Sequence, residues 1–130
     1  MTYQFNDGGR VEAGFKGKAG DCVVRAVAIV TGSDYKTMYN RMASASKERG
    51  EAKSARDGVH KSIYEAILKE FGFVWQSAPK FVGRKARTYD MPKGAVVARQ
   101  AHHLVAVIDG VAHDSWDSTD KMVYGYYAKI

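Results

Sequence analysis

Residues His103 to Trp116 read HLVAVIDGVAHDSW, and the Asp109–Gly110 pair at the centre of that stretch decides how the second half of the chain folds. Asp-Gly between two apolar runs signals a two-residue hairpin, because a type I′ turn needs positive φ at both central positions. With that turn, Val107 faces Ala112, Val105 faces Asp114, His103 faces Trp116 and His102 faces Asp117. Side chains alternate along a strand, so His103, Val105, Val107, Ala112, Asp114 and Trp116 share one face. On it His103 and Asp114 are diagonal neighbours within bridging distance, and Trp116 is placed to cover their contact. The other face carries His102, Leu104, Ala106, His113 and Asp117, where His102 and Asp117 make a rival pair. His103–Asp114 is preferred: it lies one residue further into the sheet, and His102 and Asp117 fall at the open, solvated end.

Outward from the hairpin, HLVAVI is apolar on both faces and belongs at the centre of its sheet. Pro92–Lys93–Gly94 turns the chain into a strand at Ala95–Arg99. Met122–Ile130 closes the sheet, with Tyr124, Tyr126 and Tyr127 packing at its edge, and Phe73–Gln76 is a further short strand. Phe81–Asp90 reads as a loop. Upstream the period is helical. Cys22–Thr31 (CVVRAVAIVT) is apolar nearly all round, with Val23, Ala26, Val27 and Val30 at i, i+3, i+4 and i+7 and Gly32 as its stop. A second helix starts at Ser33 or Asp34 as N-cap and aligns Tyr35, Met38, Tyr39 and Met42. A third runs from Val59 to Phe71, with Gly72 ending it. Met1–Gly20 reads as an extended lead-in and Lys47–Gly58 as a solvated, charged connection. The order is helices first and sheet second: an α+β chain, residues 1–130 forming one domain, with N-terminal helices packed on an antiparallel sheet.

Cys22 is the one cysteine, so an internal disulfide or a multi-cysteine zinc site is excluded. It opens a helix after a glycine-bearing segment, where free N–H groups and the helix dipole stabilise a thiolate. The same N–H groups suit an oxyanion on a substrate carbonyl. The bland alternative is a small buried apolar residue. An imidazole that takes the thiol proton, and a third group that orients the imidazole, would complete a nucleophilic site.

Cys22 heading the first long helix, His103–Leu104–Val105–Ala106–Val107 opening a strand, and Asp114–Ser115–Trp116 on the returning strand together resemble the papain-like cysteine peptidases. Asp21 before the cysteine and an aspartate in the third place are similar to the compact bacterial, bacteriocin-processing (C39-like) branch, which includes small phage and bacterial proteins. The resemblance covers the order of elements over nearly the whole chain, though about ten residues carry it. It implies Cys22 as nucleophile, His103 as general base and acid, Asp114 as the orienting residue, and Trp116, His102, Asp117 and Asp21 in supporting or alternative places. The family's oxyanion-hole glutamine stands six residues before the cysteine, where this chain has Lys16. Gln4 and Asn6 lie further upstream, and the residue after Cys22 is Val23 rather than the family's tryptophan or glycine.

The 130 residues carry 20 Lys+Arg against 14 Asp+Glu, 45% apolar residues and no apolar run of membrane-spanning length. Met1–Arg10 lacks the apolar core of a secretory signal, so the expected compartment is the cytoplasm, or the host cytoplasm or virion if the chain is phage-encoded. The glycines at 8, 9, 14, 17 and 20 match no phosphate-loop spacing, and no cofactor is expected. Gly17–Gly20 instead suits close approach of a substrate to Cys22. His60 and His113, joined with His102 or His103, lack a regular ligand spacing, and no metal site is expected. Lys80, Arg84, Lys85 and Arg87 interleave with Phe81 and Tyr89, a composition open to nucleic acid but read first as a solvated loop. The expected function is a cysteine hydrolase cutting a peptide or isopeptide bond through a Cys-His-Asp triad, with a protein or peptide as substrate. The alternative is a weak or inactive papain-like binding or inhibitor protein that uses its basic surface toward a protein or nucleic acid.

Overall fold

In the computed structural model, residues 1–16, 20–50, 55 and 58–129 are described. Strand β1 (Tyr3–Phe5) is followed by helices α1 (Cys22–Thr31), α2 (Tyr35–Arg49) and α3 (Lys61–Glu70). Strands β2 (Phe73–Ser77), β3 (Ala95–Gln100), β4 (His103–Ile108), β5 (Val111–Asp114) and β6 (Gly125–Lys129) complete the chain, with a short 3-10 turn at Thr88–Asp90. The architecture is α+β. Its six strands run in the order β1-β5-β4-β3-β6-β2, and β4 sits inside the sheet as its two apolar faces require.

The sheet is mixed rather than antiparallel throughout. β1 pairs parallel with β5, Tyr3 against Ala112 and Phe5 against Asp114. The lead-in is therefore built structure up to residue 16, tightened by Asn6 and Asp7 side chains that accept the Gly8 and Gly9 N–H groups at 2.9 Å each. Gly8 has φ +70 and its Cα lies against the Arg25 backbone, so a Cβ there would come within 3.3 Å of the Arg25 carbonyl oxygen. This strand is too short and too polar to announce itself by periodicity.

The helices follow their signals closely. α1 has the expected bounds and ends on Gly32 in the left-handed region. Asp34 caps α2 by accepting the Thr37 N–H at 3.1 Å. α2 continues to Arg49 and stops at Gly50, into the segment expected to be a connection; residues 51–54 and 56–57 of that segment lie outside the described residues. α3 is shorter than its apolar stripe at both ends, because His60 takes the N-cap position.

One face of the sheet buries Val97, Leu104, Ala106, Phe73 and Tyr127 beneath the helices, with Val24, Val27 and Leu68 fully enclosed. The other face buries Val96, Ala98, Val105, Val107 and Ala112 under the segment that carries Ala86, Met91 and Val123. The loop expected over Phe81–Asp90 thus serves as a cover, closed by the Thr88–Asp90 turn. No helix among the described residues is long and apolar enough to cross a membrane.

Candidate active site

The Asp109–Gly110 turn forms with φ +50 and +79, both positive as its sequence demands. The register follows: Val107 pairs with Ala112, Ala106 with His113 and Ile108 with Val111. The ladder stops there. β5 ends at Asp114 and not at Trp116, so the far ends of β4 and β5 are not paired with each other. The first turn of α1 meets this unpaired end. Arg25 of α1 reaches Asp114, and the Cys22 thiol lies close enough to the His103 side chain and the Leu104 N–H for both to act on its charge.

His103 lies between the two other groups. Its Nε2 is 2.6 Å from Asp114 Oδ2, which leaves Nδ1 toward the sulfur. The Trp116 ring lies 4.8 Å from the imidazole centroid, tilted by 42°. It covers one side of His103 while staying 44% exposed itself.

The electrostatics favour a charge-separated pair. Burial of Cys22 pushes its pKa up, but hydrogen bonds from His103 and the Leu104 N–H, with the charges of His103 and Arg25, outweigh it and bring the thiol below its ordinary value. Burial pulls His103 down, while the bonds to Asp114 and Cys22 and their charges raise it to about 9. With the thiol lowered and the imidazole raised, both shifts run in the sense that favours the thiolate–imidazolium form.

Asp114 is itself held from three sides. Its Oδ1 accepts the Ser115 N–H at 2.7 Å and the Arg25 guanidinium at 3.3 Å, and its backbone carbonyl accepts the Asn6 N–H and the Tyr3 hydroxyl. Arg25, buried on α1, also binds Asp21. Asp21 further accepts the Tyr35 hydroxyl and has Arg10 Nε at 3.1 Å. A buried charge needs a partner, and Arg25 within an apolar helix, four residues after Asp21 at its N-cap, is the sequence signal for this network. Reading the helix as an apolar stripe passes over it.

Because the Asp21 side chain turns to these partners, it makes no cap bond to α1. The first N–H groups of α1 have no intrahelical acceptors, and Cys22 and Val23 at its start border the cleft. This cleft, about 480 Å³, is lined by Cys22, His103, Gly20, Tyr64, Arg99 and Tyr124 among others. Residues 17–19 of the glycine segment lie outside the described residues.

The rival pairing is not formed. His102 occupies the Ala101–His102 turn between β3 and β4 with φ +53. Asp117 accepts from Thr119 N and Oγ1 instead, at 2.9 and 2.6 Å. His102 borders the cleft, and among the described residues it has no acidic partner. His113 and Asn6 are mutually hydrogen-bonded at 3.2 Å, and Gln4 pairs with His113 along β1, so neither upstream amide reaches the thiol. The Lys16 carbonyl accepts from Arg10. Gln100 borders the cleft, but its amide donates to the Ser118 and Lys121 carbonyls. His60 caps α3, and no group of three metal-ligating side chains comes together among the described residues.

The basic segment is partly neutralised. Arg84 makes two 2.8 Å bonds to Asp90 and stacks on Phe81 at 4.0 Å, and Arg87 donates to the Lys85 and Ala86 carbonyls.

No family model matches the chain, and neither a curated protein nor a solved structure matches it.

Proposed function

We propose that the chain is a papain-like cysteine hydrolase cleaving a peptide or isopeptide bond, with Cys22 as nucleophile, His103 as base and acid, and Asp114 as the residue that orients His103. The observation that carries this reading is the imidazole between a helix-opening thiol and a buried carboxylate, with the thiol brought down and the imidazole raised. The thiolate attacks the carbonyl carbon, and the oxyanion gathers at the first-turn N–H groups of α1. His103 gives its proton to the leaving amine as the C–N bond breaks, leaving a thioester on Cys22. It then takes a proton from water, whose oxygen attacks the thioester and releases the acid and the thiol. Asp114 keeps Nδ1 aimed at the sulfur throughout.

A hole lacking a second side-chain donor predicts a slow enzyme, since one such donor is worth about 2.7–4 kcal/mol of transition-state stabilisation. Alkylation of Cys22 by a peptidyl vinyl sulfone and by iodoacetamide near neutral pH tests the reading. Fast modification of Cys22, abolished in Cys22→Ala with an unchanged fold, is the expected result. Alkylation no faster than a free thiol of pKa about 8.5 would refute it. The second reading, an inactive binding protein, is favoured by the exposed Lys80, Phe81, Val82 and Lys85. It predicts a biological effect that survives Cys22→Ala.

A further inference from the structure

We infer that Arg99 is a specificity-determining residue, receiving a substrate carboxylate beside the scissile carbonyl; this rests on the hydrolase reading and adds the substrate class to it. Arg99 follows Val97 by two residues on the helix-covered face of β3 and borders the same cleft as Cys22 and His103. Its strand partner on β6 is Gly125. The missing side chain there admits the Trp75 ring, which a Cβ on Gly125 would meet at 2.3 Å. Trp75 in turn has the Arg99 guanidinium 5.9 Å from its ring centroid, an arrangement that holds a cation in place.

What Arg99 lacks among the described residues is an anion. Arg10, Arg25, Arg41 and Arg84 all pair with carboxylates. Among the described residues no carboxylate comes within ion-pair distance of Arg99, and none lines the cleft. Glu65 of α3 accepts the Tyr127 hydroxyl at 2.6 Å instead. A half-buried guanidinium, steadied by an aromatic ring and open to a reaction cleft, offers a planar fork for a carboxylate. That carboxylate is either an acidic side chain or the C-terminal carboxylate of a peptide.

The test compares alkylation of Cys22 by iodoacetate, which is anionic, with alkylation by neutral iodoacetamide. Taking the ratio cancels any change in the thiolate itself. The ratio should fall about threefold or more in Arg99→Gln, the size expected for losing one charge at cleft distances, and be largely kept in Arg99→Lys. An unchanged ratio in Arg99→Gln, with brisk iodoacetamide labelling, overturns this inference alone. Slow labelling by both reagents overturns the hydrolase reading and this inference with it. Protection of Cys22 by capped Ala-Glu-Ala over Ala-Gln-Ala, lost in Arg99→Gln, identifies the side-chain source. Protection by uncapped over amidated Ala-Ala-Ala, likewise lost, identifies the terminal one. Protection by neither acidic form overturns the inference.

Discussion

Replacing Asp114 separates charge from geometry at His103. The rise of that imidazole from 6.5 to about 9 corresponds to about 3 kcal/mol of preference for its protonated form at ~1.4 kcal/mol per tenfold. Hydrogen bonds to an ionised acceptor are roughly twice as strong as neutral ones. Asp114→Asn keeps an acceptor in place and removes the charge while Cys22 goes on raising the imidazole, so at most about half of that preference, about 1.5 kcal/mol, should go. The His103 midpoint then falls by at most about tenfold in proton affinity, to no lower than about 8. The thiolate–imidazolium pair loses at most about tenfold against thiol–imidazole. Arg25 keeps Asp21 as a partner, and the Ser115 N–H keeps an oxygen, so the variant should fold. Asp114→Ala removes the acceptor as well and should lower the midpoint further, with Cys22 still raising it. The His103 titration is followed by NMR and the thiol by its far-ultraviolet thiolate absorbance, which the single cysteine makes unambiguous. Midpoints equal to wild type in both variants would refute the reasoning that Asp114 sets the charge state.

Arg25→Met leaves Asp21 and Asp114 without their shared cation and should cost about 3–5 kcal/mol in denaturant unfolding, the range for breaking a buried pair. It should also raise the Cys22 pKa, since Arg25 helps to lower it. Gly125→Ala drives a Cβ into the Trp75 ring and to 2.7 Å from the Gln76 carbonyl oxygen; a loss of about 1–3 kcal/mol or more, with a changed tryptophan emission, is expected. Because the folded pKa of His103 is raised, its stabilisation is full below about pH 6.5 and is lost as pH rises through about 9. The melting-temperature gap between wild type and His103→Gln should therefore narrow between about pH 6 and about pH 10.

The parts of this fold that local rules govern were legible in the sequence. Asp109–Gly110 admits one turn, and the turn sets the register that brings His103 near Asp114. The valine and alanine spacing with Gly32 bounds α1 on both sides. What escaped reading depends on distant partners. β1 exists because β5 offers an open edge, and its residues show no alternation worth following. β5 stops at Asp114 because that carboxylate is drawn toward Arg25 on a helix 89 residues away in sequence. Arg25 itself was visible as a charge within CVVRAVAIVT; asking what neutralised it would have led to Asp21 and then to Asp114. The setting of Arg99 needed the pairing of β3 with β6, which no local pattern supplies.

The thiol and its imidazole stand 81 positions apart, and the strand bearing Asp114 is held from outside by Tyr3, Phe5 and Asn6. During vectorial synthesis α1 emerges long before the hairpin at 103–114. Until that hairpin is made, Cys22 has no His103 beside it. The surroundings that bring the thiol down therefore assemble only when β1, α1 and the hairpin at 103–114 have come together, so a local chain order becomes a condition on the charge of one sulfur.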